Sequence, residues 1–284
     1  MTKSFLKWAG GKSQSIDLLQ KKIYQVDFSV FPHPTSMTGT FIEPFVGSGV
    51  VFMNIEACDY IINDVNDDLT NLYRILKTDG LSFIEECEYL FQEQNNTQEQ
   101  FSQLRHTFNS LNGKKGQERL RASLFLYLNR HCFNGLCRYN KSGEFNVPYG
   151  KYEKVYFPKK ELQVAIDKLK RVTIFNESYE KVFLHAKVGD VIYCDPPYVP
   201  LSNTASFTDY AKTGFSMDQQ KLLAKLAEEA PCLTLISNHD NDITRELYNN
   251  ADEIITKEVS RFISASSDSR KPVTELLAIY HRRF

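Results

Sequence analysis

The 284-residue sequence predicts an α/β fold, built on a mostly parallel sheet and interrupted by a long, mainly helical insertion. Two observations lead to this prediction. Short apolar runs that end in polar residues, glycine or proline alternate with stretches that suit helices, as buried parallel strands do. About one hundred residues then separate the second run from the third, which is far longer than a crossover connection.

Five apolar runs are predicted to form parallel strands. In chain order they are Thr40–Val46, Tyr60–Val65, Val172–Tyr179, Asp190–Asp195 and Leu233–Asn238. Two later runs, Glu253–Phe262 and Thr274–His281, are predicted to close one edge of the sheet as an antiparallel pair. In open α/β sheets the ligand site lies at the carboxyl ends of the strands, so we expect the chemistry there.

The long segment between the second and third strands is predicted to be an inserted domain, residues 67–169, within a body made of residues 1–66 and 170–284. The whole chain has a net charge of −1, which gives no overall attraction to a polyanion. Residues 113–160, however, hold 11 Lys and Arg against 3 Asp and Glu, whereas residues 61–100 hold 2 against 9. A polyanion is therefore expected to meet the insertion, although a solvated helix face would also explain the basic stretch.

The sequence shows no sign of membrane insertion or secretion. No apolar run approaches the roughly 20 residues that cross a bilayer. The first residues lack the apolar core and cleavage pattern of a signal peptide. The six cysteines show no CxxC spacing, which is typical of free thiols in a reducing compartment. We expect a cytoplasmic protein.

A glycine turn, Phe45-Val46-Gly47-Ser48-Gly49, follows the first strand and precedes sequence that suits a helix. Glycines here allow a tight turn and a close approach of the backbone to a bulky ligand. Phe52 stands where a dinucleotide fingerprint has its third glycine, so a purely structural turn is as good an explanation. Asp64, 17 residues after Gly47, ends the next strand and suits the hydroxyls of a nucleoside ribose, which dinucleotides and S-adenosylmethionine share.

The segment Lys7-Trp8-Ala9-Gly10-Gly11-Lys12-Ser13 contains GKS but is not a phosphate-binding loop. That loop needs a glycine five residues before Gly11, and the chain has Leu6 there. Trp8 is the single tryptophan and can be a core residue or the wall of a ligand pocket. Lys12 can be solvated or can neutralise a carboxylate.

The sequence Asp195-Pro196-Pro197-Tyr198 directly follows the fourth predicted strand. Two prolines end a strand and have no N–H to donate, so we expect both carbonyl groups to face the occupant of the pocket. Asp195 adds a fixed acceptor and Tyr198 adds an aromatic face. Two acceptors beside a ring suit a planar aromatic amine, while a turn that only ends the strand is the alternative.

This arrangement fits methylation of an adenine amine. The N6 lone pair is delocalised into the ring, and hydrogen bonds from N6 to Asp195 and to the Pro196 carbonyl would localise it. The nitrogen could then attack a sulfonium methyl group in line, with no covalent intermediate and no metal. Carbon methylation of cytosine uses a cysteine instead, and Cys194 lacks the expected context. A base in duplex DNA must leave the helix to reach such a pocket.

The sequence resembles the D12 class of N6 adenine-specific DNA methyltransferases, and within it the Dam type that acts on GATC. The resemblance covers nearly the whole chain in the same order. Its motifs are FLKWAGGK, EPFVGSG, IINDVND, NGLCRYN, FNVPYGKY, DPPY and ISNHD. DPPY alone is shared with enzymes that act on RNA, whereas the complete order is far more specific.

The resemblance implies a methyltransferase (Rossmann-like) fold that uses S-adenosylmethionine, with residues 67–169 recognising the target. Contacts to the methyl donor are implied for Trp8, Lys12, Asp64 and Asp195, with Phe45 and Gly47 lining the pocket. Catalytic roles are implied for Asp195, Pro196 and Tyr198, and we add Pro197 from the motif. The expected partner is double-stranded DNA, and we expect a monomer.

Contacts to DNA are also implied by the resemblance. Base edges are expected to be read by Lys7, Leu136, Arg138 and Pro148. Contacts to the DNA backbone are expected from Asn134 and Lys151. Phe133 stands at the position of an aromatic wedge that is often Tyr in relatives, and Lys151 stands where Arg is common, which keeps the charge but loses the planar fork. Arg138 suits guanine, because a guanidinium pairs with O6 and N7 in bidentate fashion.

Three other functions remain open on the sequence alone. The catalytic half would serve an amino-methyltransferase that acts on RNA or protein. A catalytically silent DNA-binding homologue would keep the pocket without the activity, although the intact DPPY argues against this. A nicotinamide dehydrogenase is the weakest alternative, because no residue here is placed to handle a hydride acceptor.

Overall fold

The structure, a computed structural model, describes residues 1–24, 37–199, 215–259 and 273–281. The chain divides into two compact units. The first comprises Met1–Ser13, Gly47–Asn54 and Asp64–Asn176, and the second comprises Gln14–Val46, Ile55–Asn63 and Glu177–Phe284. The domain bounds expected from the sequence, with residues 67–169 as an insertion, stay a prediction.

Seven strands are present in the described residues. They are β1 Met37–Glu43, β2 Ala57–Asn63, β3 Val172–Phe175, β4 Val191–Cys194, β5 Leu233–His239, β6 Glu253–Val259 and β7 Val273–Tyr280. All except β3 belong to the second unit, where their order is β2-β1-β4-β5-β7-β6. The first four of these pair in parallel, and β7 pairs antiparallel with β5 and β6. The predicted α/β fold with its antiparallel edge is therefore confirmed.

The strand order reverses between β1 and β4, which pair with Phe41 opposite Val191 and Ile42 opposite Ile192. Their carboxyl ends are thus neighbours at the point where doubly wound sheets bind their ligands. The predicted strand Thr40–Val46 begins earlier and ends at Glu43, because Pro44 cannot donate to a ladder. The chain leaves this edge of the sheet through Pro44 on one strand and through Asp195 on the other.

Eight helices accompany the strands in the described residues. They are α1 Ile16–Ile23, α2 Asp67–Leu90, α3 Gln98–Ser110, α4 Glu118–His131, α5 Lys159–Leu169, α6 Tyr179–Phe183, α7 Met217–Glu229 and α8 Asp242–Leu247. The core of the second unit includes Ile192 and Ile236 from the sheet with Leu223 and Ala227 from α7. These two helix positions are four residues apart, so they share one face. A capping box of Ser216 and Gln219 starts α7.

Helices α2 to α5 all lie in the first unit, which agrees with the helical character predicted for this segment. The Asn66 side chain caps α2 by accepting from the backbone N–H groups of Asp68 and Leu69. The axis of α2 is interrupted at Gly80, which has a φ of 55°. Residues 122–131 of α4 are buried on every side, as expected for a central helix.

The helix-compatible sequence after the glycine turn forms only a short 3₁₀ helix, Phe52–Asn54. The next α-helix along the chain after the glycine turn is α2, which follows β2. Among the described residues, no helix combines the length and the hydrophobicity that a membrane-spanning segment requires.

Candidate active site

Trp8 and Gly47 lie against each other in the first unit. Gly47 has a φ of 47°, and a Cβ atom added to it would lie 2.8 Å from Nε1 of Trp8. The position therefore requires glycine for both its backbone conformation and its close contact. The hydroxyl of the buried Tyr73 donates to the Gly47 carbonyl at 2.9 Å and holds the turn. The indole packs directly against the glycine backbone and occupies the space that a side chain would need.

The Asp64 carboxylate is attached to the same turn. Gly47 donates its N–H to Oδ2 at 3.1 Å, and Asn66 donates its N–H to Oδ1 at 3.0 Å. Burial raises the pKa of Asp64, while these backbone hydrogen bonds act in the opposite direction. Each oxygen keeps a second lone pair, so the half-buried carboxylate can still accept from two hydroxyl groups.

The structure brings together Trp8, Gly47 and Asp64, three residues for which the resemblance implies a place in the site of the methyl donor. Lys12 is buried rather than solvated, and its Nζ donates to the Gly10 carbonyl at 2.9 Å. Phe45 belongs to the second unit, where it packs in a group of three aromatic rings. The ring centroids of Tyr179 and Phe215 lie 5.3 and 5.6 Å from that of Phe45.

The DPPY sequence begins directly after β4, whose four residues are all buried. Asp195 and Tyr198 are half-buried and Pro196 is buried, whereas Pro197 is exposed. The Tyr198 hydroxyl donates to Oε2 of Glu275 at 3.3 Å. Its ring meets the His239 ring edge-on, with 4.8 Å between centroids. Burial, and then the charge of Asp195, raise the pKa of Tyr198 well above its usual value, so the phenol stays neutral.

The prediction that both proline carbonyls face the pocket is wrong for Pro197. Its carbonyl accepts a hydrogen bond from Nε2 of Gln220 at 2.7 Å. Within the described residues the Pro196 carbonyl accepts no hydrogen bond. A buried helix side chain thus satisfies one carbonyl, and the other remains the candidate acceptor for an amine.

Six of the predicted DNA-binding residues lie on two neighbouring segments of the first unit, residues 132–139 and 145–152. Two isolated bridges, Cys132 with Tyr149 and Tyr139 with Phe145, hold the segments together. Four of the six are exposed, namely Phe133, Arg138, Pro148 and Lys151. The other two, Asn134 and Leu136, are half-buried. The Phe133 N–H donates to the Pro148 carbonyl at 2.9 Å, so these two residues are direct neighbours.

Arg138 is held by Asn146, a residue that the sequence analysis does not single out. Its Nε donates to Oδ1 of Asn146 at 2.8 Å, and its Nη2 lies 3.3 Å from the Asn146 carbonyl. These contacts fix one edge of the guanidinium plane and leave the other N–H groups available for an acceptor. Asn134 has a φ of 54°, and its N–H donates to the Tyr152 hydroxyl at 2.9 Å.

Lys7 joins this cluster through the same tyrosine. Its Nζ lies 3.6 Å from the centre of the Tyr152 ring and donates to the Arg130 carbonyl at 3.0 Å. The Lys7 N–H also donates to Oδ1 of Asn129, at 2.9 Å. Burial and the nearby Arg130 charge lower the pKa of Lys7 to about 8. The predicted DNA-binding residues therefore form one cluster within the first unit.

Comparison with known proteins connects this geometry to a family. The family model of the D12 class N6 adenine-specific DNA methyltransferases matches residues 8–263, which is most of the chain. The chain belongs to this family. It is an adenine-specific DNA methyltransferase, and the fold and family expected from the sequence resemblance are confirmed.

The curated relatives of this methyltransferase agree. The chain is 44% identical over 282 residues to the DNA adenine methylase of Serratia marcescens, with 98% of each chain covered. It is 43% identical to the DNA adenine methylases of Vibrio cholerae and Escherichia coli strain K12. The Vibrio cholerae match covers 98% of this chain and 96% of the relative, and the Escherichia coli match 98% and 95%. These coverages show that the chain matches its relatives along essentially their whole length.

Cys194 of the methyltransferase is fully buried. Burial raises the pKa of its thiol well above the usual value, and the nearby carboxylates Glu43 and Asp195 act in the same direction. Because the thiolate is the nucleophilic form, this cysteine is unsuited to attack a base. The arrangement agrees with methylation of an exocyclic nitrogen.

Proposed function

We propose that this methyltransferase transfers the methyl group of S-adenosylmethionine to N6 of an adenine within GATC in duplex DNA. The observation that carries the proposal is the position of DPPY. It leaves the sheet directly after β4, beside the end of β1, where the strand order reverses. In such folds this is where ligands bind.

The residues around the glycine turn fit the methyl donor. Trp8 packs against Gly47, and its half-buried indole offers an aromatic face beside the turn, which suits a flat adenosine ring. Asp64 has acceptor capacity left for the two ribose hydroxyls. Bound there, the donor supplies a methyl group on a sulfonium ion. The roles of Lys12 and Phe45 in holding the donor stay with this proposal.

At the acceptor, Asp195 and the Pro196 carbonyl each accept a hydrogen bond from the N6 amine. Two acceptors draw the nitrogen away from planarity, so its lone pair is available for attack. Tyr198 supplies the aromatic face on which the adenine stacks, and its neutral phenol is held by Glu275. The new N–C bond forms as the S–C bond breaks, and the Asp195 carboxylate, which accepts a hydrogen bond from N6, is the acceptor for the proton that N6 gives up.

Recognition of GATC is assigned to the cluster around residues 132–152. Arg138 presents a fixed guanidinium, which reads guanine at O6 and N7. Lys7, Leu136 and Pro148 contact further base edges, while Asn134 and Lys151 contact the DNA backbone. The local excess of positive charge in residues 113–160 supports a surface for DNA.

The target adenine leaves the duplex before it reacts, because its N6 is paired inside the helix. Phe133 is 43% exposed, so its ring is accessible to a partner. We assign it to the gap that the displaced base leaves. We further propose that the enzyme acts as a cytoplasmic monomer, with residues 67–169 as the recognition domain.

The proposal is tested with labelled S-adenosylmethionine and a set of duplexes of equal length. One duplex contains a single GATC, and each of the others changes one of its four bases. An RNA duplex of the same sequence and a protein mixture are tested alongside, and the product is identified as N6-methyladenine after digestion. Labelling confined to the GATC duplex supports the proposal. Equal labelling of all DNA duplexes ends the GATC assignment, and higher labelling of RNA or protein contradicts the DNA assignment.

A further inference from the structure

The backbone on both sides of Tyr198 is fixed by side chains of the second unit. Gln220 on α7 donates from Nε2 to the Pro197 carbonyl at 2.7 Å. Asn238, near the end of β5, accepts from the Val199 N–H at 3.0 Å through Oδ1. The Val199 carbonyl accepts a hydrogen bond from Nδ1 of His239 at 2.7 Å. Three hydrogen bonds therefore hold the two residues that flank the tyrosine.

The side chains that provide these contacts are connected to each other. Nδ2 of Asn238 donates to the Tyr248 hydroxyl at 3.0 Å and lies 3.3 Å from Oε1 of Gln220. Because Oδ1 of Asn238 already accepts from two backbone N–H groups, its amide has only one orientation that satisfies all partners. That orientation in turn directs the Nε2 end of Gln220 towards Pro197.

Gln220, Asn238 and Tyr248 are fully buried. A buried amide costs free energy unless it is fully hydrogen-bonded, and an apolar residue would fill the same space without that requirement. The polar network therefore indicates a need for a defined orientation at this place rather than a need for packing alone.

Proline geometry shows what this orientation controls. The Pro196 carbonyl belongs to the peptide plane that joins Pro196 to Pro197. The ring of Pro197 locks its φ, so the angle between the Pro196 and Pro197 carbonyls depends on a single torsion, the ψ angle of Pro197. The hydrogen bond from Gln220 holds the Pro197 carbonyl and thereby limits the directions that the Pro196 carbonyl can take.

We propose that Gln220 is a positioning residue for methyl transfer, which aims the Pro196 carbonyl and the Tyr198 ring at the adenine through the Pro197 carbonyl. Asn238 and Tyr248 keep the Gln220 amide in the required orientation. The inference rests on the proposed function, because it assigns Pro196 and Tyr198 the roles given there. It adds a residue on α7 that acts through the Pro197 carbonyl.

The test compares Gln220→Leu with the wild-type enzyme. Loss of the Gln220 amide, which donates the hydrogen bond to Pro197, is expected to lower kcat by about tenfold or more, because small displacements of reacting groups have large effects on rate. The KM values for the duplex and for S-adenosylmethionine are expected to stay within about threefold, since the residue does not contact either molecule. Each variant is assayed at a temperature well below the midpoint of its own thermal unfolding.

Two further variants separate positioning from simple loss of stability. Thr234→Val is the matched control: Thr234 is also fully buried on β5, and its hydroxyl bonds locally, to the Cys232 carbonyl. It is expected to leave both kcat and KM unchanged. Gln220→Glu keeps an acceptor for Asn238 and, when protonated, regains a donor for Pro197. Its kcat relative to wild type is therefore expected to rise as the pH falls.

A kcat for Gln220→Leu within about twofold of wild type overturns the proposal, and so does an equal loss in Thr234→Val. If Gln220→Leu does not fold, Tyr248→Phe replaces it, because this change removes one hydroxyl that orients the Asn238 and Gln220 amides. An unchanged kcat in Tyr248→Phe then overturns the proposal. Failure of the proposed function itself would appear differently, as a wild-type enzyme that does not methylate adenine.

Discussion

The indole of Trp8 lies so close to Gly47 that a single added methyl group would be 2.8 Å from its Nε1 atom. Gly47 also has a left-handed backbone and donates its N–H to Asp64. Trp8, Gly47 and Asp64 are all assigned to the site of the methyl donor, and Gly47 contacts the other two. A change at this position is expected to affect all three at once.

Gly47→Ala is predicted to raise the KM for S-adenosylmethionine by about tenfold, because Trp8 must move out of its position against the turn. Binding of duplex DNA is expected to change little. Both constants can be measured by steady-state methyl transfer. Gly113→Ala is the matched control, since Gly113 also has a positive φ but has no atom within 4 Å of an added Cβ. An equal rise in KM in both variants would contradict a role for the contact between Trp8 and Gly47 in binding the methyl donor.

Arg138→Ala is predicted to weaken discrimination at the guanine of GATC by roughly 1–3 kcal/mol. Asn146→Ala is predicted to have a smaller effect in the same direction, because it leaves the guanidinium without its partner. Competition binding between the GATC duplex and a duplex with adenine in place of that guanine measures the difference. An unchanged preference in Arg138→Ala would remove this residue from recognition.

DNA binding is predicted to weaken as the pH rises above about 8. Lys7 has a pKa of about 8, and only its protonated form carries the positive charge that strengthens its hydrogen bond to a base. Between about pH 7 and pH 9 the Kd for the duplex is expected to rise roughly tenfold, since each unit above a pKa lowers the charged fraction tenfold. Fluorescence anisotropy at constant ionic strength measures this dependence.

Two lysine variants provide the control for this pH dependence. Lys7→Met is expected to bind the duplex more weakly at about pH 7 and to lose the rise in Kd that the titration of Lys7 causes. Lys151→Met removes an exposed lysine of the same cluster and is expected to keep that rise in Kd. If Lys7→Met retains the full pH dependence, another group is responsible.

The strands and the DPPY loop follow from the sequence because their signals are local. Runs such as Val191–Cys194 show their burial directly, and two prolines mark the end of the strand. The grouping of Trp8 and Gly47 was also predictable, although only the structure shows that the indole occupies the space of a side chain.

Gln220 could not be found in the same way. A glutamine in a helix of mixed composition is usually at the surface, and its bond to Pro197 spans 23 positions along the chain. The error about the Pro197 carbonyl has the same origin, because the sequence shows that a proline lacks a donor but not which partner its acceptor meets. Asn146 was missed for a related reason: its bond to Arg138 depends on how two loop segments pair.

The central claim is that Asp195, with the Pro196 carbonyl, makes the adenine amine nucleophilic. Single-turnover methyl transfer by Asp195→Ala on the GATC duplex tests it most directly, with Asp218→Ala as a control for an exposed carboxylate of the same unit. We predict that the rate falls by about 10²–10³-fold or more in Asp195→Ala, with the unfolding midpoint and duplex binding unchanged. A rate close to that of the wild-type enzyme would contradict the account.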